Sequence, residues 1–154
     1  MTVHEYRLRP ATAADDAAIR RLIREGEINP MGLDWQRFTI AEAPDGTVVA
    51  CGQIKPHQDG SHELASIAVT AAWRGRGLAR AIIESLLAAH PGMLYLMCES
   101  TLEPLYEKFG FARLDEAQYP RYFRRMKKLM ALPEKFSGFE ISIMRRAAAE
   151  GTAA

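Results

Sequence analysis

The segment from Glu63 to Ala89 joins three patterns that only a narrow range of folds can hold together. Ile67, Ala68 and Val69 form a compact apolar run that reads as a buried strand, and Leu78, Ile82, Ile83, Leu86 and Leu87 recur at helical spacing. Between them lies Arg74-Gly75-Arg76-Gly77-Leu78-Ala79, two glycines and two arginines at the start of the predicted helix. Glycine lets backbone N–H groups come close to a ligand, and the first turn of a helix presents unpaired donors at the positive end of its dipole. A phosphate or pyrophosphate fits such a place. The pattern is not a Walker loop, because no Gly-Lys-Ser/Thr closes it. Nor is it the dinucleotide fingerprint, because Arg80 stands where a third glycine would be needed.

The rest of the chain has the size and balance of an ordinary globular protein. Its 154 residues are enough for one domain with a substantial core, read here as residues 1–146 followed by a flexible tail, 147–154. Apolar content of 48% and charged content of 25% fit that class. A net charge of +1 gives no reason to expect nucleic acid or an anionic membrane as partner. No run approaches the ~18 apolar residues that a membrane span needs, and Met1 to Pro10 lacks the apolar core of a signal peptide. Cys51 and Cys98 form no Cys-x-x-Cys pair and sit in apolar runs, which suits buried thiols in a reducing cytoplasm.

Read in order, the chain alternates strands and helices. Tyr6 to Arg9 is a strand ended by Pro10, and Thr12 with Asp15 forms a capping-box-like start to a helix carrying Ile19, Leu22 and Ile23. Asn29 to Trp35 is a loop or a short helix. Two hairpins follow, Phe38–Ala43 with Thr47–Ile54 around Pro44-Asp45-Gly46, and Lys55–His57 with His62–Val69 around Asp59-Gly60. Asp-Gly at both turns predicts a two-residue type I′ geometry. Beyond the helix of residues 76–89, a strand from Met93 to Cys98 is reached by a helical crossover and should lie parallel to its predecessor. A short helix over Leu102–Phe109 with Ser100 or Thr101 as cap, a strand from Phe111, a helix from Pro120 to Met130 and a strand over Phe139–Met144 complete the order. The fold class is mixed α/β.

Two motifs give this order a family likeness. Arg74-x-x-Gly77-x-Ala79, directly after a strand and before a Leu/Ile-rich helix, resembles the acyl-CoA signature of the GNAT superfamily of N-acetyltransferases. Leu105-Tyr106-Glu107-Lys108-Phe109-Gly110-Phe111 is similar to a second segment of that family. The resemblance implies a central mixed, mostly antiparallel sheet with helices on both faces, and acetyl-CoA as cosubstrate. It implies that the turn (Arg74, Gly75, Arg76, Gly77, Leu78, Ala79 and Arg80) holds the coenzyme A pyrophosphate. The backbone of Ile67, Ala68 and Val69 would pair with the pantetheine amides. Ser100 either faces the pantetheine or, more simply, caps the next helix.

Acetyl transfer from a thioester to an amine requires removal of an ammonium proton, polarisation of the carbonyl and neutralisation of the leaving thiolate. Glu63 is the candidate base. It opens the strand that leads to the turn, and alternation places it on the face of Ala65, Ile67 and Val69, where desolvation strengthens a carboxylate as a base. The competing reading is a wet carboxylate at a hairpin end. Tyr106 is the candidate acid, in the position where the family places a tyrosine beside the sulfur; otherwise it is a half-buried core aromatic. His57 and His62, across the hairpin from each other, lack a third metal ligand and read as a solvated pair, so no metal is expected. Arg121, Arg124, Arg125, Lys127 and Lys128 form a basic helix surface, read as solvated, as a carboxylate clamp for the acceptor, or as a contact for the 3′-phosphate of the coenzyme.

The sequence thus predicts an N-acetyltransferase working in a ternary complex, as monomer or homodimer, on a small-molecule amine. Glu63-Leu64-Ala65-Ser66-Ile67-Ala68-Val69 resembles the same strand of N-acetylglutamate synthase-type members, which tilts the acceptor toward one that is amino-acid-like. The alternatives are a polyamine, drug or protein amine as acceptor, or a non-catalytic acyl-CoA sensor.

Overall fold

The structure is a computed structural model that describes residues 5–131 and 140–149. Two compact units are distinguishable, one formed by the chain up to Lys55 with Leu64–His90, the other by Pro56–Glu63 with the chain from Pro91 onward.

In the first unit, β1 (Arg7–Pro10), β2 (Phe38–Glu42), β3 (Val48–Pro56) and β4 (His62–Val69) lie side by side in chain order. β1 and β2 pair antiparallel with Leu8 opposite Ala41, and β2 and β3 pair antiparallel with Ile40 opposite Cys51. Helix α1 (Asp16–Glu25) turns Ile19, Leu22 and Ile23 onto Phe38, Ile40, Cys51 and Ala68. Helix α2 (Leu78–Ala89) packs on the opposite face: a side chain at Gly52 would come within 2.6 Å of both Ile67 Cδ1 and Ile82 Cγ2. Strand alternation explains the division, since Cys51 and Gly52, like Ala68 and Ile67, point to opposite sides. Helices therefore cover both faces of these strands, as predicted.

The second unit holds β5 (Leu94–Glu99), β6 (Ala112–Arg113) and β7 (Ile141–Arg146) in the order β5-β7-β6, antiparallel throughout. Glu63, in the part of β4 that belongs to this unit, pairs in parallel with Tyr95. The parallel pairing expected from a helical crossover is present, and the ladders as a whole are mostly antiparallel. Two further helices, α3 (Glu103–Glu107) and α4 (Arg121–Ala131), complete the unit. Phe123 of α4 is fully buried with Leu114, Tyr119 and Ile143, and Tyr95, Met97 and Tyr122 pack against them.

Two local expectations are corrected and one open alternative is settled. The hairpin turns are not type I′: Gly46 and Gly60 have φ of 89° and 88°, but neither Asp45 nor Asp59 has positive φ. Bonds from Gly46 N to Ala43 O and from Gly60 N to His57 O close four-residue turns that end in a left-handed glycine, the three-residue loop of hairpins. The short helix after β5 is not capped by Ser100 or Thr101. It starts as a 3₁₀ turn over Ser100–Leu102 with no side-chain cap, and Ser100 N donates to Glu140 O at 2.8 Å. The region Asn29–Trp35 is a loop, followed by a 3₁₀ turn from Trp35 that Asp34 caps through Gln36 N at 3.0 Å. The predicted strand start at Phe139 and the tail beyond Ala149 lie outside the described residues. Among the described residues no helix is long and apolar enough to cross a membrane.

Candidate active site

The glycine turn lies in the first unit. After Val69 the chain makes a 3₁₀ turn over Ala71–Trp73 and reaches α2 through Gly75 and Gly77, with φ of 78° and 81°. Residues with a Cβ rarely adopt such values, which is why glycine is needed here. A side chain built at either glycine meets nothing within 4 Å, so open space lies over both. Gly77 is also the N-cap of α2, and having no side chain it leaves the first-turn N–H groups of the helix to another acceptor. The 12-residue helix adds a positive partial charge at this end. These features fit the phosphates of a nucleotide-like ligand.

The flanking residues frame the turn. Arg74 Nε donates to Val69 O at 3.1 Å, closing the loop onto the end of β4. The Arg76 guanidinium lies 4.5 Å over the Trp73 ring, and Arg80 pairs with Glu84 one turn along α2 at 2.8 Å. Leu78 is buried in the core and Ala79 half-buried, so these two can offer a ligand their backbone rather than their side chains. Upstream, Ala68 is buried while Ile67 and Val69 are half-buried. Between Glu63 and this segment Ser66 has φ +61°, and its hydroxyl accepts from Gln53 Nε2 at 2.8 Å.

The second unit gathers the titratable groups. Glu63 is buried, at 7% exposure, so the wet hairpin-end reading does not hold. Its Oε1 lies 2.8 Å from Nε2 of His57. The His57 ring stacks on Tyr122 of α4, centroids 3.4 Å apart and planes 15° from parallel, and meets the edge of Phe123 at 5.8 Å. The expected solvated pairing of His57 with His62 is therefore corrected: His57 turns inward to an acid and an aromatic. Asp59 fixes the same corner, accepting from Ser61 N at 2.9 Å and from Tyr122 N, in the first turn of α4, at 2.9 Å. Burial works against ionisation of Asp59, but the Ser61 hydroxyl, the Tyr122 and Ser61 N–H groups and His57 outweigh it and hold the carboxyl below its usual range. Burial, then the charge of Glu63, push the Tyr122 phenol up to about 12.

A cleft of about 480 Å³ opens at this corner, with His57, Asp59, Tyr122, Arg121 and Arg125 among its walls. Among the described residues neither Arg121 nor Arg125 has an acidic partner. The basic helix surface is thus divided. Arg124 donates to Tyr119 O at 3.3 Å and Lys127 to the Tyr119 hydroxyl at 3.0 Å, while Arg121 and Arg125 face the cleft. Sequence reasoning weighed His57 only with His62 and did not bring it together with Tyr122 at this cleft; the nearest signal was the aromatic spacing Tyr119, Tyr122, Phe123 on α4.

Tyr106 sits on α3, half-buried and edge-on to Phe111 at 6.3 Å. Burial, and after it the neighbouring Cys98, raise its phenol above the ordinary value, so it stays a proton donor. Glu103, one turn earlier, accepts from the Ser142 hydroxyl at 2.5 Å and pairs with Arg113 at 3.4 Å, which anchors the helix. Both thiols are free and buried. Burial pushes Cys51 up to about 12, and burial with Glu103 and Glu99 pushes Cys98 up to about 11. Among the described residues no group of three potential ligands is placed to hold a metal ion.

The chain is similar in structure to N-acetylglutamate synthase from Neisseria gonorrhoeae, solved with coenzyme A and L-arginine, with a TM-score of 0.72 and 18% identity over 93% of this chain and 33% of that one. It is also similar to a Mycobacterium tuberculosis protein solved with CoA and NLQ, with a TM-score of 0.69 and 23% identity over 92% of this chain and 98% of that one. A third similar structure is an Escherichia coli N-acetyltransferase of a ribosomal-protein alanine, with a TM-score of 0.64, 18% identity and 94% of each chain covered. At such identities the likeness is one of fold, and the chain spans only about a third of the synthase. No protein of curated function matches it in sequence. Residues 34–113 match the family described as the Acetyltransferase (GNAT) domain, a stretch that takes in Glu63, the glycine turn and Tyr106 and exceeds half of the chain. The chain belongs to the GNAT acetyltransferase family.

Proposed function

We propose that the chain moves an acetyl group from acetyl-CoA to the primary amine of a small molecule that also carries a carboxylate. The observation that carries this reading is the turn capped by Gly77, whose open first-turn N–H groups suit a pyrophosphate. Backbone amides from Gly75 to Arg80, with Arg74 and Arg76 beside them, would hold the phosphates. The backbone of Ile67, Ala68 and Val69 would hold the pantetheine, and Ser100 is a further candidate contact. The bound cosubstrate supplies an activated acetyl group.

The chain's own groups do the rest. Glu63 serves as the base toward the acceptor's ammonium, and Tyr106 returns a proton to the leaving thiolate. Transfer is direct. A thiol nucleophile must ionise readily, and both cysteines are buried and held protonated. The acceptor's carboxylate is taken by Arg121 and Arg125, whose planar, permanently charged guanidinium groups suit such an anion. A polycationic acceptor would meet like charge there. The buried, unpaired thiols also suit a reducing compartment such as the cytoplasm.

The deciding experiment measures thiol release from acetyl-CoA with L-glutamate, L-alanine, spermidine and a short peptide in turn. Amine-dependent release that is fastest with the carboxylated amines supports the proposal. Arg125→Gln should then raise the KM for L-glutamate about tenfold or more, because a charge-assisted hydrogen bond contributes ~1.5–3 kcal/mol, and leave kcat nearly unchanged. Tight coenzyme A binding with no release from any amine would make the chain a sensor rather than an enzyme.

A further inference from the structure

We infer that the imidazole of His57, held from behind by Glu63, is the group that takes the proton from the acceptor amine. The inference rests on the acetyltransferase reading above and replaces direct proton abstraction by Glu63 with a Glu63–His57 pair.

Geometry separates the two residues. His57 is a wall of the cleft that Arg121 and Arg125 also line, whereas Glu63 is not among its walls and is 7% exposed. An amine seated in that cleft meets the imidazole first. The chemistry of the contact sets the tautomer. An ionised carboxylate can only accept, so at 2.8 Å the Glu63 Oε1 requires a hydrogen on His57 Nε2. In the neutral ring that leaves Nδ1 with its lone pair, as a base needs. No hydrogen bond to Nδ1 is present among the described residues, and the His57 side chain keeps 11% of its surface exposed. Packing fixes the ring: it stacks on Tyr122 at 3.4 Å and abuts Phe123 edge-on at 5.8 Å, so it cannot turn its other nitrogen to Glu63 without breaking the stack.

Charges of both signs surround His57: Glu63 on β4 and Asp59 in the turn are acidic, Arg121 and Arg125 on α4 are basic, and the Tyr122 phenol is neutral. In the reaction the acceptor's ammonium gives one proton to Nδ1. The freed amine forms the new C–N bond while the C–S bond breaks and its electron pair passes to sulfur. The second proton lost from nitrogen goes to the thiolate by way of Tyr106, and the imidazolium returns its proton to water. Glu63 is then a positioning residue that fixes the tautomer and faces the positive charge on the ring.

The test compares His57→Gln, Glu63→Gln and the double variant, using acetyl-CoA and whichever amine of the panel above the wild type turns over fastest. Melting and coenzyme A binding verify that each variant is folded. Long-range ¹H–¹⁵N spectra of the imidazoles, assigned by the signal that His57→Gln removes, read the tautomer without any acceptor. We expect His57→Gln to lower kcat about 10²- to 10³-fold, within the range for a general base, and Glu63→Gln to lower it about tenfold. The double variant should be no slower than His57→Gln, since residues acting as one unit are not additive. His57 should carry its hydrogen on Nε2 in the wild type and lose that preference in Glu63→Gln. Should His57→Gln not fold, His57→Phe keeps the stacked ring without its nitrogens and should show the same loss. A larger loss in Glu63→Gln than in His57→Gln, multiplicative losses in the double variant, or hydrogen on Nδ1 in the wild type would each overturn the inference while leaving acetyl transfer intact. A wild type that releases no thiol with any amine would overturn both.

Discussion

Gln53 Nε2 donates to the hydroxyl of Ser66 at 2.8 Å, and Ser66 is the one non-glycine residue within a described strand whose φ is positive, at +61°. Left-handed backbone costs an ordinary residue roughly 1–2 kcal/mol, and a neutral hydrogen bond returns about 0.5–1.5 kcal/mol. The two effects can be separated. Ser66→Ala keeps the strained backbone and deletes the bond, so it should destabilise the protein by about 1–2 kcal/mol. Ser66→Gly deletes the same bond but removes the strain, and should melt above the alanine variant. Urea unfolding of the three proteins measures the order; a glycine variant less stable than alanine would refute this account of the strand.

Gly77 offers a test of the turn. Gly77→Asn and Gly77→Asp share shape and backbone strain, and only the second adds negative charge beside the helix N-terminus. Calorimetric titration with coenzyme A should show the aspartate variant binding at least ~10-fold more weakly than the asparagine variant, from lost charge-assisted bonds. Equal affinities would remove the phosphates from this turn.

Tyr106→Phe removes one hydroxyl and keeps the edge-on contact with Phe111. If the phenol protonates the thiolate, kcat should fall about 10²-fold, with acetyl-CoA affinity changed far less. Burst-phase kinetics will establish whether chemistry limits turnover; an unchanged kcat under that condition returns Tyr106 to a packing role.

Acid stability should depend on Asp15. Hydrogen bonds from Arg9 hold its carboxyl below the usual range, with the Thr12 N–H at 2.7 Å adding to them against the opposing effect of burial. A folded pKa below the unfolded one, near 3.9, contributes stability above that value and loses it as pH falls through the folded pKa. Asp15→Asn should cost about 1–3 kcal/mol at pH 7, from charge-assisted bonds lost. The gap to the wild type should close as the pH drops below about 4. Unfolding curves at several pH values check this, and a gap that stays constant would assign the loss to packing alone.

How far these features were legible differs by residue. The turn could be read because its signal is local: glycines at positions 75 and 77 stand between an apolar strand and an apolar helix face. The hairpins were legible in place but not in type. Asp45 and Asp59 accept from the N–H groups of Thr47 and Ser61, and these local bonds are served with glycine alone left-handed. His57 was not legible, because the ring it stacks on comes from α4, far along the chain, and no local pattern ties the two. Glu63 could be singled out by its place at the start of the strand, but whether it was wet or buried depended on the same distant aromatic residues.

Asp59 accepts from Ser61 N in its own hairpin and from Tyr122 N in the first turn of α4. One carboxylate therefore serves as the acceptor for amides of two elements that are remote in sequence. In hydrogen-exchange terms, the hairpin tip and the first turn of α4 form one opening unit: the amides of Ser61 and Tyr122 should exchange at a common rate and accelerate together in Asp59→Ala. The cleft beside His57 would then be gated as a whole, because the turn cannot release its end of the acceptor site without fraying the helix that carries Arg121 and Arg125.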